Sequence, residues 1–183
     1  MTASRRLAQP LLAALALAIL ALAVSACGYE SNETEVKEGE PVELGDLQYN
    51  VIFSRYLNPN DTEDSAYLVG QEPPAPESTY FGVFFEVQNE TEEPQPLPDR
   101  FTIEDSDHQA FESLASESLY AFPLGGEAEA QEQIPVLDSP PEQGPIEGSV
   151  VLFLLPDDAS QNRPLVLEIP SPDGATGEVT LDL

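Results

Sequence analysis

Basic residues are scarce in this sequence: six Lys and Arg stand against 34 Asp and Glu. A surface so acidic repels phosphate backbones and anionic headgroups, which argues against nucleic-acid binding and against membrane attachment through a basic patch. There is one His, His108, so a metal centre built on two imidazoles is excluded. A Ser-His-Asp arrangement would have that ring alone to draw on, and no Gly-x-Ser-x-Gly turn or glycine-rich phosphate loop is present. The single Cys, Cys27, cannot form an intrachain disulfide. Trp is missing, and the only Met is Met1.

What the chain does have begins with a leader pattern. Arg5 and Arg6 precede an unbroken apolar run from Leu11 to Val24, followed by small residues. As a helix that run would span roughly 21 Å, short of the ~30 Å hydrocarbon core, so a permanent membrane helix is the weaker reading. The next four residues, Val24-Ser25-Ala26-Cys27, resemble the bacterial lipobox. The resemblance implies diacylglycerol on the Cys27 sulfur, acyl chains such as palmitate, and cleavage just before it, with Val24, Ser25 and Ala26 flanking the cut. Two acyl chains suffice for stable anchoring without help from the protein surface. Residues 1–26 are thus expected to be a lipoprotein signal peptide. Residues 27–40, polar and acidic except for Tyr29 and Val36, read as a flexible tether. Cleavage would leave 34 acids against the four remaining bases, a formal charge of −30.

From Pro41 onward the period is that of strands. Leu47, Tyr49, Val51 and Phe53 alternate with polar residues, with Ile52 out of step. Phe81, Val83, Phe85 and Val87 share one face of a run whose other face carries Tyr80 and Phe84, as expected of a central strand. Phe101 and Ile103, Phe111, the run from Ile146 to Leu155, Leu165 to Ile169, and Val179 to Leu183 complete the pattern. No stretch after the leader shows helical periodicity. Seven or eight short strands with 18 Pro predict an all-β fold, a β-sandwich over residues 41–183. Two long connections, residues 58–79 and 114–145, interrupt the strands and are the surfaces expected to serve a partner. The second carries Leu119, Tyr120, Phe122 and Ile134, so its ends are expected to fold back while residues 125–133 form a free tip.

The segments Val83-Phe84-Phe85-Glu86-Val87-Gln88-Asn89, Phe101-Thr102-Ile103-Glu104-Asp105, Gly148 to Pro156 and Arg163 to Ile169 resemble one known family. These are the immunoglobulin-like, telokin-like domains of unknown function carried by Gram-positive, especially actinobacterial, lipoproteins. The resemblance covers Leu47 to Leu183 and implies an immunoglobulin-like sandwich. It brings no catalytic residues. The family usually has Gly where His108 stands, which implies a positive φ there.

No catalytic or cofactor-binding residue is assigned. The segment from Asn58 to Asp64 gathers oxygen ligands suited to Ca²⁺, with Asn60, Asp61 and Asp64 the weak candidates. It lacks the Gly and terminal Glu of an EF-hand loop, and a solvated turn is the better reading. Asn89, where a strand meets a Pro-rich turn, reads as a structural amide. The function expected is a lipid-anchored, non-enzymatic interaction module on the extracytoplasmic face of a bacterial cell membrane, with an unidentified envelope protein as partner. The alternative is an acidic domain that captures cations or a substrate. A further possibility is that the acidity keeps the domain hydrated in salt.

Overall fold

A computed structural model describes residues 35–172 and 174–182. The leader and the residues Val24, Ser25, Ala26 and Cys27 lie outside the described residues. The fold is mostly β, with two main sheets packed face to face as a sandwich. The first sheet runs β10 (Ser149–Pro156), β4 (Ser78–Asn89), β3 (Leu47–Leu57), β2 (Pro41–Leu44), and β9 (Gln133–Ile134) also pairs with β4. The second runs β1 (Glu35–Lys37), β12 (Thr176–Thr180), β11 (Val166–Pro170), β6 (Thr102–Glu104), β7 (Ala110–Glu112). A small ladder joins β5 (Gln95–Pro96) to β8 (Glu127–Ala128).

The organising element is β4. Phe81, Val83, Phe85 and Val87 point between the two sheets into the main core, while Tyr80 and Phe84 point outward into a second cluster. Burial on both faces explains why the sequence there is a near-continuous apolar run rather than a clean alternation. Phe153 from the neighbouring β10 enters the same interior as Phe85. Phe85, Phe101 and Phe122 form an aromatic triangle with centroids 5.0, 5.3 and 5.8 Å apart.

The sequence pattern departs from the structure at Ile52. Val51 pairs with Phe85 and Phe53 with Phe84, so Ile52 is the extra residue of a β-bulge. The bulge turns every later side chain of β3 over. Phe53, expected beside Tyr49 and Val51 in the core, is 42% exposed and packs on Phe84 outside it. Ser54 takes the inward place.

The described strands number twelve rather than seven or eight. The additions, β1, β5, β8 and β9, have two or three residues each, too few for a sequence period to register. β1 lies parallel to β12 and removes residues 35–37 from the predicted tether. The Glu38 carboxylate beyond it accepts from Ser54 N of β3 at 3.2 Å and from Asp182 N, past the end of β12, at 3.3 Å. A six-residue helix, α1 (Thr62–Tyr67), was also not expected. Asp61 caps it, its Oδ1 accepting from Glu63 N at 2.9 Å and Asp64 N at 3.3 Å. Its apolar side is little more than Tyr67, held edge-on to Phe84 and Tyr120 at 5.1 Å each. Tertiary packing, rather than periodicity, makes this helix.

The connection 114–145 folds back at both ends, as its apolar content predicts. Phe122 is buried, Leu114 and Ala121 bridge to β10, and Ile134 pairs with Val87. The tip, expected to be free, is pinned instead. Asn89 is buried at the end of β4, and its Nδ2 donates to Glu93 O at 2.9 Å, Glu129 O at 2.8 Å and Ala128 O at 3.1 Å. Its Oδ1 accepts from Thr91 N at 3.0 Å and Thr91 Oγ1 at 2.8 Å. One amide thus ties the β4 turn and the far loop together, as the structural reading of Asn89 requires. Not every apolar side chain of this connection is covered: Leu119 remains 79% and Leu137 69% exposed.

The second sheet carries a row of like charges on its outward face: Glu35 lies across from Glu178, which lies across from Glu168. Burial first, and then Glu104 and Glu178, raise the Glu168 carboxyl above its ordinary range. Like charges directly opposite destabilise a sheet.

Three outcomes are expected. Phe85→Ala and Phe153→Ala each lower stability by about 3–5 kcal/mol in denaturant titration, because a cavity replaces tight packing. Asn89→Ala lowers it by about 1–3 kcal/mol and speeds amide exchange over residues 126–134, since buried carbonyls lose their donor. Glu168→Gln raises stability by up to about 1 kcal/mol at neutral pH. The sign follows from the raised folded pKa: the native state binds the proton more tightly, so the wild type gains stability as pH falls into the acid range and loses it as pH rises. The variant shows a flatter response to pH and to salt in thermal melts.

Candidate functional site

The cation candidates are distributed by the fold rather than gathered by it. Asp61 is the cap of α1, and Asn60 stays in the preceding turn, its N–H bonded to Asn58 Oδ1 at 3.0 Å. Asp64 is buried with both oxygens engaged. Oδ1 pairs with the Arg55 guanidinium and Oδ2 accepts from Asn58 N at 2.7 Å. Arg55 also reaches Glu63 at 3.1 Å. Asn60, Asp61 and Asp64 therefore do not converge, and among the described residues no three His, Cys, Asp or Glu side chains form a metal-binding group. The acids stand together in the sequence, whereas Arg55, the base that answers them, comes from β3.

His108 has φ = 60°, the positive value implied by the family comparison with Gly. It sits exposed in the turn between β6 and β7, its Nδ1 2.6 Å from Glu104 Oε1. That hydrogen bond, with the Glu104 charge, raises the imidazole pKa above its usual value. Beside it Asp105 is buried and accepts from Asp107 N and Gln109 N at 2.9 Å each and from Asn162 Nδ2 at 3.2 Å. Burial pushes this carboxyl up, but the bonds from Gln109, Asn162 and Asp107 outweigh it and hold it below the ordinary range. These bonds hold the hairpin together, and among the described residues no Ser hydroxyl bonds to the His108 ring.

The outer face of the first sheet is divided. Toward Phe84 it is apolar and covered by α1 and by residues 114–122, with Ser118 Oγ donating to Ala66 O at 2.8 Å. Toward Asn89 it is polar and open. Here the register aligns Glu43, Gln48, Gln88 and Gln133 directly across β2, β3, β4 and β9. Pro41, Asn50 and Glu86 form the adjacent row. Two clefts, of about 180 and 230 Å³, flank Gln48 and Gln88 and share them both. Asn50 is among the residues lining the smaller one, its Oδ1 turned out of solvent reach and without a hydrogen-bond partner among the described residues. Strand alternation could have placed Gln48, Asn50 and Gln88 on one face, but the pairing with β9 is too long-range to read from sequence.

The first long connection forms another cleft, of about 560 Å³, beneath Pro73 and Pro74 and against Leu68 and Tyr80. Tyr80 Oη donates to Glu72 O at 2.6 Å and fixes the Pro-rich strap above it. Among the described residues no helix is long and apolar enough to cross a membrane.

No family model matches the chain, and no curated protein matches it in sequence. Among solved structures it is similar to the yjhA protein from Bacillus subtilis, with 15% identity, a TM-score of 0.54, and 80% of this chain and 99% of that one covered. It is also similar to an uncharacterized beta-sandwich protein from Clostridium difficile, with 14% identity, a TM-score of 0.49, and 84% and 97% covered. The ycdA protein of Bacillus subtilis, described as "a putative lipoprotein", is 13% identical with a TM-score of 0.46, and the match covers 79% of this chain and 39% of that one. At such identities the likeness concerns the fold alone, and the match to the yjhA protein, with its TM-score above 0.5, is the one that carries it.

Proposed function

We propose that the chain is a lipid-anchored, extracytoplasmic interaction module of a bacterial cell envelope, non-enzymatic, whose displayed domain is an immunoglobulin-like sandwich. The observation that carries the proposal is Val24-Ser25-Ala26-Cys27 at the end of a basic-then-apolar leader, with Cys27 the only Cys in the chain. A lone exported Cys has no disulfide role, and acylation gives it one. Its sulfur would carry diacylglycerol, and the chains would hold the protein at the membrane while the acidic surface is repelled by anionic headgroups.

The non-enzymatic reading is supported by the way the charged side chains are used. Asp61 caps a helix, Asp64 answers Arg55, and Asp105 closes a turn. His108 is engaged by Glu104 on an exposed hairpin. A binding role is supported by the open polar half of the first sheet and by exposed Leu119 and Leu137 on the second long connection.

The anchor is tested by Cys27→Ser in cells fed labelled palmitate. Wild type takes up label and fractionates with membranes, whereas the variant takes up none and appears as soluble protein or uncut precursor. An unlabelled wild type that stays membrane-bound through its intact leader contradicts the proposal.

A further inference from the structure

We propose that β1 is a detachable edge strand, clasped by the Glu38 carboxylate and opposed by the glutamate row beside it, whose release lengthens the chain between Cys27 and the fixed domain. The detachment rests on the fold alone. Its effect on reach rests on the reading of Cys27 as a lipid anchor.

Few contacts hold β1. It has three residues, pairs in parallel with β12 at the edge of the second sheet, and brings only Val36, half-buried, to the core. Glu38 does the clasping. Its amide donates to Thr180 O at 2.9 Å, and its carboxylate accepts from Ser54 N, Ser54 Oγ and Asp182 N. β2 pairs with β3 only as far as Asn50, so beyond that point a side chain, not a strand, receives the Ser54 amide. One carboxylate thus ties β1 to the first sheet and to the chain past β12. Bonds to an ionised acceptor are roughly twice as strong as neutral ones. Gly39 comes next, its amide donating to Val51 O at 2.7 Å. It has φ = 86° and nothing within 4 Å of where a Cβ would stand, so the chain can swing there without displacing a neighbour.

Charge works against docking. Glu35 lies across from Glu178, Glu178 across from Glu168, and Glu104 follows on β6, all on the outward face of the second sheet. The raised carboxyl of Glu168, due to burial first and then to Glu104 and Glu178, reflects the same crowding. Lys37, across from Thr180, is the only base on β1, β12, β11 and β6 and offsets part of it. β2, the other strand beside β1, adds Glu43 and no base. Screening falls from about 10 Å at 0.1 M salt to about 3 Å at 1 M. Salt therefore favours the docked strand, and dilution favours release.

Release changes the length of free chain. With β1 docked, the first paired residue, Glu35, stands eight positions after Cys27; with β1 released, the first is Pro41, 14 positions after it. Six more extended residues add up to about 20 Å of reach.

Native-state hydrogen exchange on the full chain in a neutral detergent tests the inference at the Gly39 amide, with intrinsic exchange corrected at each salt concentration. Gly39 is expected to exchange through a local opening, well before residues 80–87. Its protection should rise about two- to threefold between about 0.1 M and about 1 M salt. Glu178→Gln, a change on the exposed face, should give a similar gain at low salt and none at high salt. Glu38→Ala should lower the protection about tenfold. The inference is overturned if Gly39 exchanges only with global unfolding, if salt lowers its protection, or if Glu38→Ala leaves it unchanged. Reach is read on the lipidated chain in phosphatidylcholine vesicles, by energy transfer from a dye on Gln161→Cys, in an exposed turn, to labelled headgroups. Val36→Ser combined with Glu38→Ala removes the apolar contact and the clasp together and should lower the transfer; equal transfer overturns the effect on reach. A chain that takes up no palmitate, with the exchange results intact, removes the anchor reading and leaves the detachable strand standing.

Discussion

The structure depends on one strand being buried on both faces. β4 lies between β3 and β10 within its sheet, and its side chains fill two separate apolar clusters, Phe81, Val83, Phe85 and Val87 inward and Tyr80 and Phe84 outward. A sandwich needs only the inward set. The outward set obliges the chain to supply a cover, and both long connections do so: α1 brings Tyr67, and residues 114–122 bring Leu114 and Tyr120. What look like loops are therefore a third layer over half a sheet. Their exposed parts, the Pro-rich strap and Leu119, are held in place by packing below them.

That cover stops midway along β4, between Phe84 and Glu86. Beyond it the same face is polar, open and flanked by two clefts. The change from covered to open within one strand gives the domain a ready binding surface without a flexible element. It also shifts interest away from the loops that composition alone favours. The tip of the second connection is fastened by Asn89 and by β8 pairing with β5. Acidity plays a different part. The acids cap, pair or face solvent, and along Glu35, Glu178 and Glu168 they repel one another. Added salt screens that repulsion, which suits a saline medium.

Much of the main core was legible in the sequence because burial leaves a period. β4 and β10 announce themselves as apolar runs, and the alternation over residues 179–181 places β12 and the strand end beyond it. His108 and Asn89 were legible for a different reason: each occupies a turn where backbone conformation or backbone bonding restricts the choice of residue. The bulge at Ile52 could be seen only as a misfit, since either of two registers would satisfy the residues before it. α1 and the two- and three-residue strands left no signal, because partners far along the chain create them. The same limit hid the site. Gln48 and Gln88 are ordinary polar residues of alternating strands until β9 arrives from residue 133 and completes the row.

Native-state hydrogen exchange, followed against increasing denaturant, tests the dependence on β4 most directly. Doubly buried strands open only when the whole domain unfolds. The account predicts that amides of residues 80–87 exchange with the same free energy and denaturant dependence as global unfolding, on both the inward-facing and outward-facing positions. Exchange of the outward positions through a smaller local opening, with the inward ones still protected, would show that the covering layer is dispensable and would contradict it.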